Sequence, residues 1–130
     1  MIMRVLCVDD RSQLLQIRKD ILERLGFSVI TARSVPSALA AVEDPAVAAV
    51  LLEYKSEGID AEAVALHIKT RFPDVPIVLL SAYSDMPERV LWLVDEYVMR
   101  SQPVEKLAKT IERVTKSSKR FRGGSPGEAA

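Results

Sequence analysis

The sequence has 130 residues, with 18 Lys and Arg against 18 Asp and Glu, and it is 48% hydrophobic and 28% charged. That mixture suits one soluble globular domain and argues against a chain that is basic throughout and built to neutralise nucleic-acid phosphates. A single cysteine, Cys7, excludes a disulfide framework and a cysteine-rich zinc site, and a His-based metal site or a Ser-His-Asp triad would have to use the one histidine, His67. No apolar run approaches the roughly 18 to 20 residues of a membrane span. The opening residues reach Asp9 too early for a signal peptide, so a cytoplasmic location without a membrane partner is expected.

Short apolar runs then alternate with helix-period segments. Run 5–8 (Val-Leu-Cys-Val) stops at Asp9-Asp10. A helical pattern follows, with Leu14, Ile17, Ile21 and Leu25 expected on the inward face and Leu15 and Leu22 beside it. Gly26 supplies the left-handed position that ends helices, and residues 27–31 alternate weakly as a second strand. Ser34 caps a short Ala-rich helix to about Glu43. Run 47–52 is wholly apolar and ends at Glu53. Asp60 caps a helix whose inward positions are Ala61, Val64, Ala65, Ile68 and Phe72, closed by Pro73. A fourth run, 77–80, ends at Ser81. Ser84 and Pro87 start a brief helix to about Val94, and residues 97–99 form a fifth strand ending at Arg100. The last helix starts near Pro103 and turns Val104, Leu107, Ala108, Ile111 and Val114 inward.

Strands that are apolar on both faces and separated by helices imply a parallel sheet covered on both sides. Five such units predict a doubly wound, flavodoxin-like α/β fold with strand order 2-1-3-4-5. In these sheets chemistry gathers outside the carboxyl ends of the strands. Those ends carry Asp9, Asp10, Glu53, Ser81 and Arg100. Three carboxylates brought together repel one another and call for a cation. A hard divalent metal such as Mg²⁺ answers that need, and so does the Arg100 side chain.

In this order and on this pattern, Val8-Asp9-Asp10, Leu51-Leu52-Glu53-Tyr54, Leu80-Ser81-Ala82 and residues 95–100 resemble the response-regulator receiver domain of the chemotaxis type. The resemblance runs from residue 3 to about 115. It implies that Asp9 and Asp10 hold Mg²⁺ together with the group at position 53 and the backbone carbonyl of Lys55. It implies that position 53 accepts a phosphoryl group from a histidine kinase or phosphotransfer protein. Ser81 then matches the hydroxyl that bonds this group, and Tyr97 the aromatic that changes rotamer with it.

Two departures stand at the centre of that pattern: position 53 is Glu where the family carries Asp, and position 100 is Arg where it carries Lys. Glu sets its carboxylate about 1.3 Å further out, and an ångström can cost in-line transfer about a hundredfold. Ser101, Ser56-Glu57 and Asp60-Ala61 also replace the usual residues. A degenerate receiver follows as the leading expectation, in which a Glu53–Arg100 pair imitates phosphorylation and output runs through protein contacts. It is expected to stand alone and not to act as an enzyme in the ordinary sense. The alternatives are a competent receiver, with Asp at 53 in its native form, and a small flavodoxin-like cofactor protein. The doublet in Asp9-Asp10-Arg11-Ser12-Gln13 would repel a cofactor phosphate, which weighs against the latter.

Leu91 and Trp92 are expected to face outward, on the side formed by helix 4, strand 5 and helix 5, where receivers meet a downstream protein or a second copy. Cys7 reads as a buried apolar thiol and His67 as a surface histidine. The receiver is expected over residues 1–115. Residues 116–130, basic and rich in Gly, Ser and Pro, are expected to form a disordered tail.

Overall fold

The computed structural model describes residues 3–54, 58–82, 84 and 86–117. Strands and helices alternate strictly: β1 (Arg4–Val8), α1 (Ser12–Arg24), β2 (Ser28–Ala32), α2 (Val35–Ala41), β3 (Val47–Glu53), α3 (Ala61–Arg71), β4 (Ile77–Ser81), α4 (Glu88–Leu91), β5 (Glu96–Met99) and α5 (Val104–Ser117). The strands form one parallel sheet in the order β2-β1-β3-β4-β5. This is the doubly wound arrangement that the alternation predicts. The half-exposed strands β2 and β5 take the edges, while β3, buried at every residue, takes the centre.

Successive residues of each strand face opposite sides, and each side has its own core. Val5, Cys7, Ala49, Leu51, Val78, Leu80 and Val98 pack against α1 and α5 through Leu15, Leu22, Leu107, Ile111 and Val114. Leu6, Val8, Val50, Leu52, Ile77 and Leu79 pack against α2 and α3 through Ala38, Val64, Ala65 and Ile68, with Val90 of α4 beside them. Both layers lock the strands in register, so that Glu53 stands beside Leu80 and Ser81 beside Met99. The chemistry-bearing residues are thereby held flush along one end of the sheet.

Three local expectations need correction. On α1 the buried residues are Leu15 and Leu22, whereas Ile17 and Leu25 are exposed. Apolar side chains lie on more than one face of this helix, so their spacing alone does not choose the inward stripe. Arg18 chooses it: at i+3 from Leu15 and i−4 from Leu22 it shares their face and reaches the buried carboxylates described below. The fourth helix is a single turn with Pro87 at its N-cap, so Ser84 does not start it and it ends well short of Val94. Asp95 fixes the chain after it, donating its N–H to the Ile77 carbonyl (2.8 Å) and accepting the Ile77 N–H on its carboxylate (2.7 Å). On α5, Val104 and Ala108 are half-buried, and Thr110 and Thr115 lie inside instead. Their hydroxyls donate to the Lys106 and Ile111 carbonyls, so no polar group is stranded. This helix also takes in Lys116 and Ser117 of the segment read as a tail; the rest of that segment lies outside the described residues.

The helix-terminus signals at Ser34, Asp60 and Gly26 hold. Ser34 accepts from the Ser37 N–H in a reciprocal capping box, and Asp60 accepts from the Ala63 N–H. Gly26 has φ 101°, with its N–H on the Glu23 carbonyl and that of Phe27 on the Leu22 carbonyl, a Schellman closure. Among the described residues no helix is long and apolar enough to cross a membrane.

Nothing lies near the position of a Gly26 Cβ, so a substitution there meets only conformational strain. Gly26→Ala is expected to cost about 1 kcal/mol, read as a lower urea midpoint with unchanged slope; an unchanged midpoint would refute it. Burial pushes the Cys7 thiol up to about 12, with Arg18 pulling weakly the other way. The folded thiol stays protonated while the unfolded one ionises near its ordinary value of about 8.5. Stability from this group is therefore full below that value and is lost as pH rises towards 12. Ellman's reagent at about pH 8 should react only after denaturation, and fast labelling of the native protein would count against a buried thiol.

Candidate functional site

Asp9 follows the last residue of β1 and Glu53 is the last residue of β3, at 0% and 1% exposure. Two carboxylates taken out of water need cationic partners close by, because an unpaired buried charge is far costlier than an exposed one. Three guanidinium groups answer. Arg11 comes from the start of α1, Arg18 from about two turns further along it, and Arg100 from the end of β5.

Arg11 makes a side-on pair with Asp9, Nε to Oδ1 at 3.0 Å and Nη2 to Oδ2 at 3.1 Å. Its backbone N–H adds a third bond to Oδ1, and Arg18 Nη1 a fourth, to Oδ2 at 3.4 Å. The same Arg11 Nη2 donates to Glu53 Oε1 at 2.5 Å, so one side chain bridges both carboxylates. Arg100 Nε lies 3.3 Å and Arg18 Nη2 3.9 Å from that oxygen. The other oxygen, Oε2, is buried with no hydrogen-bond partner among the described residues. Burial pushes the Glu53 carboxyl above its ordinary range, opposed by the charges of Arg18 and Arg100 and by the bond from Arg11. The bond to Asp9 holds the Arg11 guanidinium more firmly protonated still.

Asp10 turns elsewhere, its Oδ2 accepting the Gly58 N–H at 2.6 Å. A Cβ at position 58 would stand 2.8 Å from that oxygen, so a glycine is what lets the backbone approach. Ser81 is fully buried at the end of β4, and its carbonyl accepts the Arg100 N–H at 2.8 Å, fastening the root of that side chain. The Tyr97 ring packs against the α2–α3 side of the core, its hydroxyl buried and without a hydrogen-bond partner among the described residues. Lys55 lies outside the described residues. Trp92 is 76% and Leu91 42% exposed, both at the end of α4.

Sequence reasoning missed Arg11 and Arg18. Arg18 could have been found as the one charge in an otherwise apolar helical stripe. Arg11 carries the weaker signal of a cation two residues past a carboxylate at a strand end.

The model of the response regulator receiver domain matches residues 5–112. The chain belongs to that family. It is a receiver of two-component signal transduction, a family of signalling modules. It is 29% identical over 114 residues to a probable transcriptional regulator of Guillardia theta, covering 85% of this chain and 44% of the relative. The receiver spans about half the length of the curated relatives it matches. Among solved structures it resembles the response regulator TrrA of Thermotoga maritima in complex with Mg²⁺ and BeF, with TM-score 0.79, 29% identity, and coverage of 87% of this chain and 99% of that one. TrrA is also similar as seen in its complex with the histidine kinase ThkA, with TM-score 0.78, 29% identity, and coverage of 87% and 98%.

The Asp9 carboxylate of this receiver is not free for the Mg²⁺ that the resemblance implies. Asp9 already accepts four N–H groups, which fills the lone-pair sites of a carboxylate. Among the described residues no group of three or more His, Cys, Asp or Glu is arranged to hold a metal ion.

The depth of each ion pair decides its worth. Arg18, with a side chain 11% exposed, serves two buried carboxylates, and Arg18→Met is expected to cost about 2 kcal/mol by urea denaturation. The exposed Arg89–Glu62 pair at 3.1 Å makes Arg89→Met a control, expected to cost under about 0.5 kcal/mol. Equal losses at the two positions would refute this ranking.

Proposed function

We propose that this chain is a pseudo-receiver: a receiver fold whose acceptor position is held by a standing glutamate–arginine network and whose output runs through protein–protein contact. The observation that carries this reading is the state of Glu53 Oε1, with Arg11 at 2.5 Å and Arg100 at 3.3 Å. A carboxylate that attacks phosphorus must aim a lone pair along the line to the leaving group. Here the lone pairs of Oε1 are directed at guanidinium groups. The other oxygen, Oε2, is buried.

The partner surface of this reading is the side formed by α4, β5 and α5, where Leu91 and Trp92 put apolar area into solvent. An exposed tryptophan beside an exposed leucine suits a contact with a downstream protein or a second copy. A role in transcription, which the relatives' names carry, belongs to their full length and is not transferred to these 130 residues.

The competing reading is a receiver driven by phosphorylation, with Asp at 53 in its native form and a histidine kinase or phosphotransfer protein as donor. TrrA, bound to a kinase in one structure and to Mg²⁺ and BeF in another, supports that reading for a competent relative.

Incubation with Mg²⁺ and acetyl phosphate, followed by intact-mass measurement, separates the two. The wild-type protein is expected to gain no phosphoryl mass, and stoichiometric, stable labelling at Glu53 would overturn the proposal. Labelling of Glu53→Asp alone would trace the block to the extra methylene. Absence of labelling in both would trace it to the arginine network.

A further inference from the structure

We infer that Arg11 is the resident cation of this receiver, a guanidinium built into the chain where a divalent metal would otherwise balance the carboxylates at the strand ends. The inference rests on the reading of this site as one that takes no phosphoryl group, but it is tested without one.

A metal at such a site has two tasks: it neutralises carboxylates that would repel, and it ties the end of β1 to the end of β3. Arg11 does both. Its Nε and Nη2 lie against the two oxygens of Asp9, and Nη2 continues to Glu53 Oε1, so one planar cation spans the gap between the two strands. The local backbone presets this geometry, because the Arg11 N–H itself donates to Asp9 Oδ1 and holds the residue in a tight turn. Arg11 stands at the N-cap of α1, where its guanidinium, which can only donate, has no cap bond to make; it donates to the carboxylates.

Charge and coordination exclude a second cation in the same place. Asp9 and Glu53 carry two negative charges between them, and three guanidinium groups already face them. With Asp10 counted, the three carboxylates at these strand ends are matched by three guanidinium groups, so a divalent ion would enter a site already balanced in charge and would have to break the side-on pair. Mg²⁺ gives up its water reluctantly and takes carboxylate oxygens at about 2.0 to 2.1 Å. The Asp9 oxygens are already occupied at hydrogen-bond distances. Glu reaches about 1.3 Å further than Asp, and the carboxylate of Glu53 meets Arg11 at 2.5 Å. Position 53 and position 11 thus work as a pair.

The test is thermal unfolding of the full chain at low ionic strength, with and without MgCl₂, against NaCl of matched ionic strength. The wild-type midpoint is expected to be the same in Mg²⁺, in matched NaCl and in EDTA. Arg11→Ala is expected to lower the midpoint by at least about 5 °C and to recover part of that loss in Mg²⁺ but not in NaCl. A wild-type midpoint raised by Mg²⁺ above the NaCl control would overturn the inference. An Arg11→Ala protein destabilised but indifferent to Mg²⁺ would also overturn it, since the arginine would then be an ion pair at a place no metal can take. If the alanine variant does not fold, Mn²⁺ electron paramagnetic resonance on the wild-type protein decides the matter. No bound Mn²⁺ at about millimolar metal is the expected result, and stoichiometric binding the overturning one. A wild-type protein that binds metal yet takes no label from acetyl phosphate would remove Arg11 from this role and leave the pseudo-receiver standing.

Discussion

Two carboxylates held out of water at the end of a parallel sheet are the constraint around which this receiver is arranged. Asp9 and Glu53 are placed there by strands whose own burial is secured by two separate apolar layers, so neither can swing back to solvent. Ionised groups in that position require compensation close at hand. The compensation comes from three points of the chain: the first residue after the doublet, the middle of α1, and the end of β5. Because the cations are short-range and partly enclosed, salt screens them far less than it screens a surface pair.

This requirement reaches back into the fold. The inward stripe of α1 is Leu15, Arg18, Leu22, and the orientation that buries the two leucines is also the one that delivers Arg18 to Asp9. Packing and electrostatics therefore agree on one rotation of the helix about its axis, although the helix carries enough apolar residues for another. At the opposite side, the Ser81 carbonyl fastens the backbone of Arg100, so the third cation is positioned by the sheet itself.

The architecture was legible because it rests on periodicity. Runs such as residues 47–52 are apolar at alternate and intervening positions alike, as a strand covered on both faces requires. The carboxylates at the strand ends were legible for the same reason, since topology alone brings them together. What escaped depends on side-chain reach. Arg11 and Arg18 look like ordinary solvated charges until the sheet places Asp9 and Glu53 within about 4 Å of their guanidinium groups. A brief fourth helix was expected, but its bounds escaped, because the Asp95–Ile77 tether beyond it is a tertiary contact with no local pattern. The stripe of α1 was misjudged because a hydrophobic count cannot weigh a buried ion pair.

Trp92 is the only tryptophan in the chain and stands 76% exposed at the end of α4. Its indole is therefore nearly as hydrated in the folded protein as in the unfolded one. Tryptophan emission from this protein is a poor gauge of unfolding and a good gauge of occupancy. A partner settling on the α4–β5–α5 side would shift the emission to the blue without any label. The chain carries its own optical reporter on the surface proposed for its output.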